Sequence, residues 1–321
     1  MTLLVTGSAG HLGEALMRTL RADGVAARGL DHAASLFTTH VGSITDAAFV
    51  AEAMRGVTGV IHTATLHKPH IDTHSRQAFV DTNVTGTLTL LEAALAARVR
   101  AFVYTSTTSA FGSALSPRAG EPAAWITESV APIPRNIYGV TKVTAESLCE
   151  LFHRDQGLSV VVLRTSRFFP EADDNAAVAS AYDLANVQAN ELLYRRVDIA
   201  DVVAAHRLAV ERAPAIGFGR YIVSATTPFR PEDLAALRAD APAVVQRLYP
   251  DCESLYAARG WTLFPSLDRV YVNDRARTDL GWRPNHDFRH VLDCLTKGGD
   301  VRSELARVVG SKGYHASSLL L

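Results

Sequence analysis

The sequence predicts an α/β protein: a doubly wound parallel sheet with helices on both faces and a smaller C-terminal lobe. Three observations carry this. Thr2–Thr6 is a short apolar run, followed by Gly7-Ser8-Ala9-Gly10-His11-Leu12-Gly13 and a helical pattern through Leu20. Further apolar runs at Val57–Thr65, Ala101–Ser106 and Val160–Leu163 alternate with long helical stretches at Ala78–Leu95 and Tyr138 to about Phe152. Such alternation builds a parallel sheet covered on both faces. Finally, 321 residues suit one large domain or two intimately joined ones.

The first element is the most informative. Strand, Gly-rich turn and helix together make a dinucleotide site. Glycine admits a left-handed turn and lets a pyrophosphate approach bare backbone, and the helix N-terminus offers N–H groups and a positive dipole end to phosphates. The spacing is G-x-x-G-x-x-G. A second strand ends near Gly29-Leu30-Asp31, with Asp31 placed 18 residues after Gly13. An acid there bonds the adenosine ribose hydroxyls and repels a 2′-phosphate, so NAD is expected over NADP, with Arg28 and His32 as nearby competitors.

The strand at Ala101–Ser106 leads into Thr107-Thr108-Ser109-Ala110-Phe111-Gly112. Ligands of such sheets lie beyond the carboxyl ends of strands, so these hydroxyls can reach a substrate; they can equally cap turns. Pro117–Pro134 reads as a Pro-rich loop. Later, Arg195–Val210 reads as a helix led in by Asp198, Arg220–Ser224 as a strand returning to the sheet, and Pro228–Arg247 as an Ala-rich helix. The expected division is a dinucleotide-binding domain over 1–165, its sheet rejoined by 195–225, and a substrate-binding lobe from 166–194 and 226–321.

Composition excludes several classes. With 32 basic against 33 acidic residues there is no electrostatic footprint for nucleic acid or an anionic membrane. No apolar run reaches the ~18 residues of a membrane span. The chain opens into a strand rather than a basic leader, so no signal peptide is expected. Cys149, Cys252 and Cys294 are widely spaced and lack metal-ligand spacing, which fits a reducing cytoplasm. His67, His70 and His74, with Lys68 among them, read as a loop near the reacting centre rather than a metal site.

Tyr138-Gly139-Val140-Thr141-Lys142 carries the chemistry. On a helix, phenol and ammonium lie on one face, a turn apart. A free Tyr titrates near ~10, and a neighbouring Lys⁺ is expected to lower that value and make the phenol a base.

These pieces together resemble the extended short-chain dehydrogenase/reductases, the NAD-dependent epimerase/dehydratases with a Rossmann sheet. The matching residues are Thr6-Gly7-x-x-Gly10-x-x-Gly13, Asp31, His62-Thr63-Ala64, Asn83-Val84-x-Gly86-Thr87, Ser106-Thr107, Tyr138-Gly139-x-x-Lys142, Leu163-Arg164 and Leu280-Gly281-Trp282-x-Pro284. The resemblance implies Tyr138 as acid/base, Lys142 as its partner and a ligand of the nicotinamide ribose, and Thr107 as the hydroxyl that polarises the substrate oxygen. It further implies NAD contacts from Gly7, Gly10, His11, Leu12, Gly13, Asp31, Ser43, Ile44, Thr63, Ala64 and Asn83, and a homodimer. Lys68, Thr108, Arg167 and Arg195 are candidates for the substrate.

The chain departs from that pattern in places. Ser43 stands where an Asp is usual. Thr108 and Ser109 follow Thr107 where 4,6-dehydratases carry acids, which argues against water loss. Arg167 occupies the Asn position of nucleotide-sugar epimerases; it can grip an anion bidentately or pair with Glu171 or Asp173. The expected activity is alcohol/ketone interconversion on a small molecule, first as a 4-epimerase-like reaction on a sugar or nucleotide sugar. The alternatives are a net dehydrogenase or reductase of a small non-nucleotide alcohol, and a silent NAD-binding protein.

Overall fold

The computed structural model describes residues 1–170 and 176–312. Seven parallel strands form the main sheet: β1 (Thr2–Thr6), β2 (Ala26–Asp31), β3 (His40–Val41), β4 (Gly59–His62), β5 (Ala101–Thr107), β7 (Val160–Thr165) and β8 (Phe218–Val223), in the order β3-β2-β1-β4-β5-β7-β8. Two further strands, β6 (Ala124–Ile126) and β9 (Arg269–Tyr271), pair in parallel as a separate ribbon. The Pro-rich loop therefore contains a strand, because its partner lies in the C-terminal part of the chain.

The helices covering one face are α1 (His11–Ala22) and, later in the chain, α8 (Ile199–Ile216); the other face carries α2 (Ala47–Ala53), α4 (Gly86–Ala96) and α5 (Ile137–Gln156). Leu12, Leu16, Val202 and Ala209 fill the first side, and Val50, Leu90, Leu91 and Cys149 the second. The nearly fully buried β1, β4, β5 and β7, with apolar runs such as Leu3–Val5 and Val160–Leu163, are what a sheet covered on both faces requires. The helix expected over Ala78–Leu95 is α3 (Arg76–Val80) joined to α4 by a wider π-type turn over Asp81–Thr85. Such turns interrupt helices where a side chain must be aimed, and this one carries Asn83.

The lobe has its own core, with Leu193, Tyr194, Leu237, Val245, Tyr256, Val270, Phe288 and Leu292 buried together. Its elements include α6 (Ala176–Ala181), α7 (Leu184–Glu191), α9 (Leu234–Ala239), α10 (Ala241–Leu248), α11 (Cys252–Ala257) and α13 (Phe288–Thr296), with α12 (Asp274–Asp279) and α14 (Glu304–Val309) returning to the sheet side. The single helix expected over Pro228–Arg247 is broken. Asp240 is extended and caps α10 by accepting from the Ala243 N–H, and Pro242 has no N–H to continue α9. The late Leu-Gly-Trp element is a tether: Trp282 is fully buried and donates to the Asp201 carbonyl at 2.9 Å, while the Asp201 carboxylate accepts from the Asn285 and His286 amides at 2.9 Å each. Among the described residues no helix is long and apolar enough to cross a membrane.

Candidate active site

The turn after β1 is shaped by glycine. Gly7 has φ +73°, and a Cβ there would meet Thr63 Oγ1 at 2.7 Å and Ala64 N at 2.8 Å; a Cβ on Gly13 would stand 1.9 Å from the Gly7 carbonyl oxygen. Both positions need the missing side chain. His11 opens α1, and Leu12 packs into the sheet core. At the end of β2, Asp31 accepts from the Ala9 N–H (3.0 Å) and the Ala33 N–H (2.9 Å) and pairs with His32 (3.1 Å). Burial alone would raise its carboxyl. The bonds from His32, Ala33 and Ala9 outweigh that and hold it below its usual value, so the carboxylate is charged. Arg28 points elsewhere, to the Ala53 and Arg55 carbonyls at 3.2 and 2.7 Å. A bare backbone cradle beside a helix N-terminus, with a fixed carboxylate at the end of β2, fits the pyrophosphate and ribose of NAD.

Four other cofactor candidates make contacts within the protein. Ser43 bonds Thr45, and Ile44 is buried where a Cβ on Gly86 would touch it at 2.5 Å. Thr63 donates to the Thr6 carbonyl at 2.7 Å, and the Ala64 N–H reaches Thr6 Oγ1 at 3.3 Å. His62, with no role assigned from the sequence, is the pin of this corner. It bonds Thr6 Oγ1 at 2.7 Å and Thr87 Oγ1 at 3.0 Å, and burial together with the Lys142 charge depresses it to about 3, so it is neutral.

Asn83 is tied into the fold. Its amide oxygen accepts from Thr65 Oγ1 and the Leu66 N–H at 2.8 Å each, and its amide nitrogen donates to the Leu66 carbonyl (3.1 Å) and Thr141 Oγ1 (3.0 Å). That exhausts the amide's two donors and both lone pairs. Asn83 thus ties the loop after β4 to α5.

Thr107, Tyr138 and Lys142 converge where β5 meets α5. Asn136 caps α5 by accepting from the Gly139 N–H at 3.0 Å, which fixes the start of the helix beside the end of β5. Thr107 Oγ1 accepts from the Ser109 N–H at 3.0 Å, and Thr108 begins the short turn that follows. Thr107 also faces the Tyr138 phenol closely enough to favour its ionised form. Lys142 is 2% exposed; its Nζ donates to the Thr105 carbonyl at 2.6 Å and sits 4.3 Å from the centre of the Tyr104 ring. Burial depresses the ammonium from 10.5 to about 7, against the pull of Glu146.

The sequence expectation for Tyr138 is reversed. Burial dominates and pushes the phenol up to about 12, only partly offset by Thr107. The reason is placement: the Lys142 ammonium turns inward to a backbone carbonyl and the Tyr104 ring, and Tyr138 is left 7% exposed with the Thr107 hydroxyl as its offset to burial. At neutral pH Tyr138 rests as an acid.

Beneath this set lies an unpredicted buried network. Glu146, one turn beyond Lys142, accepts from Ser106 Oγ (2.5 Å) and from Arg164 Nε (3.0 Å) and Nη2 (2.7 Å), with Arg220 Nε at 3.3 Å. The substrate-side arginines are likewise committed. Arg167, Arg195 and Arg196 all pair with buried Glu191, at 3.2, 2.8 and 2.8 Å. Burial raises the Glu191 carboxyl, and the three cations, Arg196 foremost, bring it below its usual value. Glu171 and Asp173, the other expected partners of Arg167, and the tail from Gly313 lie outside the described residues. Lys68 is exposed on the turn Lys68–Asp72. Of the three loop histidines, His67 comes to the site: its ring is 6.0 Å from Tyr138 and 5.7 Å from Phe169, and burial with the Lys142 charge depresses it to about 3. Among the described residues no three His, Cys, Asp or Glu side chains gather to hold a metal.

Comparison with known proteins agrees with this fold. The family model described as NAD dependent epimerase/dehydratase family matches residues 3–222. The chain belongs to this family. It is therefore an NAD-dependent enzyme. One relative of the family, a dTDP-glucose 4,6-dehydratase of Streptomyces antibioticus, is 30% identical over 330 residues, covering 90% of this chain and 89% of that protein. Another, a 4-hydroxy-2-methyl-3-oxo-4-farnesyl-3,4-dihydroquinoline-1-oxide ketoreductase of Stigmatella aurantiaca, is 30% identical over 337 residues, covering 93% and 97%. In fold, a short-chain dehydrogenase/reductase superfamily protein of Agrobacterium tumefaciens, solved with bound NAD, superposes with a TM-score of 0.66 at 24% identity over 96% of this chain and 99% of that one.

Proposed function

We propose that the protein interconverts a secondary alcohol and a ketone, with Tyr138, Thr107 and Lys142 as the catalytic residues and a sugar or nucleotide sugar as substrate in a 4-epimerase-like reaction. The observation that supports it is the convergence of phenol, hydroxyl and buried ammonium at the carboxyl end of β5. The Gly7–Gly13 turn and Asp31 would hold NAD, which supplies a carrier that takes up or returns a hydride. Thr107, its oxygen fixed by the Ser109 amide, donates a hydrogen bond to the substrate oxygen. Tyr138 passes its proton to that oxygen as a ketone becomes an alcohol, and its phenolate takes the proton back in the reverse direction. Lys142 supplies the positive charge that the phenolate requires in a buried setting.

A second reading, net reduction of a ketone without hydride return, is favoured by the ketoreductase that matches almost end to end. The His67 ring beside Tyr138, with Phe169 against His67 and Phe168 against Phe169, also suits an apolar substrate. Acid extraction of freshly purified protein separates the two. Near-stoichiometric retained NAD supports hydride return, and an empty extract supports a dissociable co-substrate and a net reductase. Tyr138→Phe should lower turnover at least about a hundredfold on whichever substrate is found, the scale of a general acid/base; unchanged turnover would sink the assignment.

A further inference from the structure

A cavity of about 230 Å³ opens at the outer edge of the main sheet, away from the residues of the candidate active site. Its walls come from three places: the segment after β8 (Thr226, Thr227, Phe229, Arg230), Trp125 of β6, and the segment after β9 (Asn273, Asp274, Arg277). In the order β5-β7-β8 it lies two strands from the end of β5, where Thr107 sits, and none of the catalytic or NAD-cradle residues lines it.

The polar groups of the cavity are mostly donors. Thr226 Oγ1 accepts from the Asn273 amide at 3.0 Å, and Thr227 Oγ1 accepts from the Phe229 N–H at 3.3 Å, so both hydroxyl hydrogens remain to be donated. Asn273 is itself locked to the Ser224 carbonyl at 2.9 Å, which makes this wall rigid. The Nε of Arg277 is buried and has no hydrogen-bond partner among the described residues. The rest of that guanidinium is reachable, the Arg277 side chain being 36% exposed, so an anion in the cavity meets a charged donor. Arg230 adds a second guanidinium at the rim. The single carboxylate, Asp274, is largely exposed and lies 3.5 Å from Arg277 Nη1. Trp125 and Phe229 supply flat apolar surface beside these donors.

We infer that this cavity is a second binding site, separate from the NAD site, for a small oxyanion joined to a flat apolar group, such as an aryl phosphate or aryl carboxylate. Its size is below the range of full cofactor or drug-sized pockets, which begin at roughly 300 Å³, so a dinucleotide does not fit. Calorimetry with phenyl phosphate, and in parallel benzoate, inorganic phosphate and benzyl alcohol, tests it on the full chain. Phenyl phosphate or benzoate should bind saturably, and the better of the two identifies the anion. Inorganic phosphate should bind more weakly and benzyl alcohol not detectably, because each offers only half of the complementarity. Arg277→Gln and, separately, the surface change Arg230→Gln should each weaken binding about tenfold, the scale of one charge-assisted hydrogen bond, with NAD affinity unchanged. Arg230 is exposed, so that variant keeps the test sound should Arg277→Gln disturb folding. Absence of binding at millimolar probe, equal affinity in both variants, or displacement of the probe by NAD would each overturn the inference.

Discussion

Replacing Lys142 by Met should stabilise the protein while destroying its chemistry. An ammonium that titrates at 10.5 in the unfolded chain and at about 7 in the folded one has three regimes. Below pH 7 it is charged in both states, and the folded protein bears the whole cost of burying it. Between pH 7 and 10.5 the unfolded chain binds the extra proton, so folding stability rises with pH across that window. Above it the cost has vanished. At roughly 1.4 kcal/mol for each tenfold change in proton affinity, the full cost is about 5 kcal/mol. Met removes it and adds apolar surface in the same volume, but leaves the Thr105 carbonyl without the donor now 2.6 Å away; that orphan costs about 1–3 kcal/mol. The net gain expected at pH 6 is therefore about 2–4 kcal/mol. By pH 9.5 the burden on the wild type has shrunk by about 3 kcal/mol, so the advantage of the variant should nearly disappear. Urea denaturation of both proteins at pH 6 and 9.5 reads this directly. A variant less stable than wild type at pH 6, or a difference that does not change with pH, would refute the claim that Lys142 is held against its own solvation.

Three other outcomes follow from the geometry. Gly13→Ala places a Cβ against the Gly7 carbonyl and should weaken NAD binding at least about tenfold, measured by fluorescence titration, as the turn opens to relieve the contact. Glu146→Gln leaves Arg164, 3% exposed, without its counter-charge and should cost about 3–5 kcal/mol in urea melts; adding Arg164→Met should recover part of the loss. Asp31→Ala should erase the preference for NAD over NADP in paired binding titrations, since Arg28 is tied to α2 and the carboxylate is what repels a 2′-phosphate; unchanged selectivity would mean the ribose is held elsewhere.

What the sequence disclosed and what it hid divide along a physical line. Period, glycine spacing and strand-end hydroxyls are local, and they placed β1, α1, Asp31, β5 and α5, hence the cradle and the Thr107–Tyr138–Lys142 set. What escaped depends on contacts between distant residues. β6 looked like loop because a three-residue strand is stable only beside β9, more than a hundred residues on. Arg167 and Arg195 looked like ligands for an external anion because Glu191, buried among them, lies on α7, whose packing no local pattern announces. The part Asn83 plays in tying the loop after β4 to α5 becomes visible only when Leu66 and Thr141 are in place. The Tyr138 phenol is the sharpest case. A Tyr and a Lys four apart on a helix predict attraction, and attraction predicts a lowered pKa; but the sign of a buried group's shift is set by solvent exclusion as well as by neighbours. Here exclusion wins for both partners, raising the phenol and depressing the ammonium. Each side chain is thus pushed toward its neutral form, and the pair meets a reacting alcohol as a phenol and a nearly half-neutral amine. On the proposed mechanism, bound substrate and cofactor would have to draw out the charge separation that proton transfer needs, because burial alone favours the neutral form of both groups.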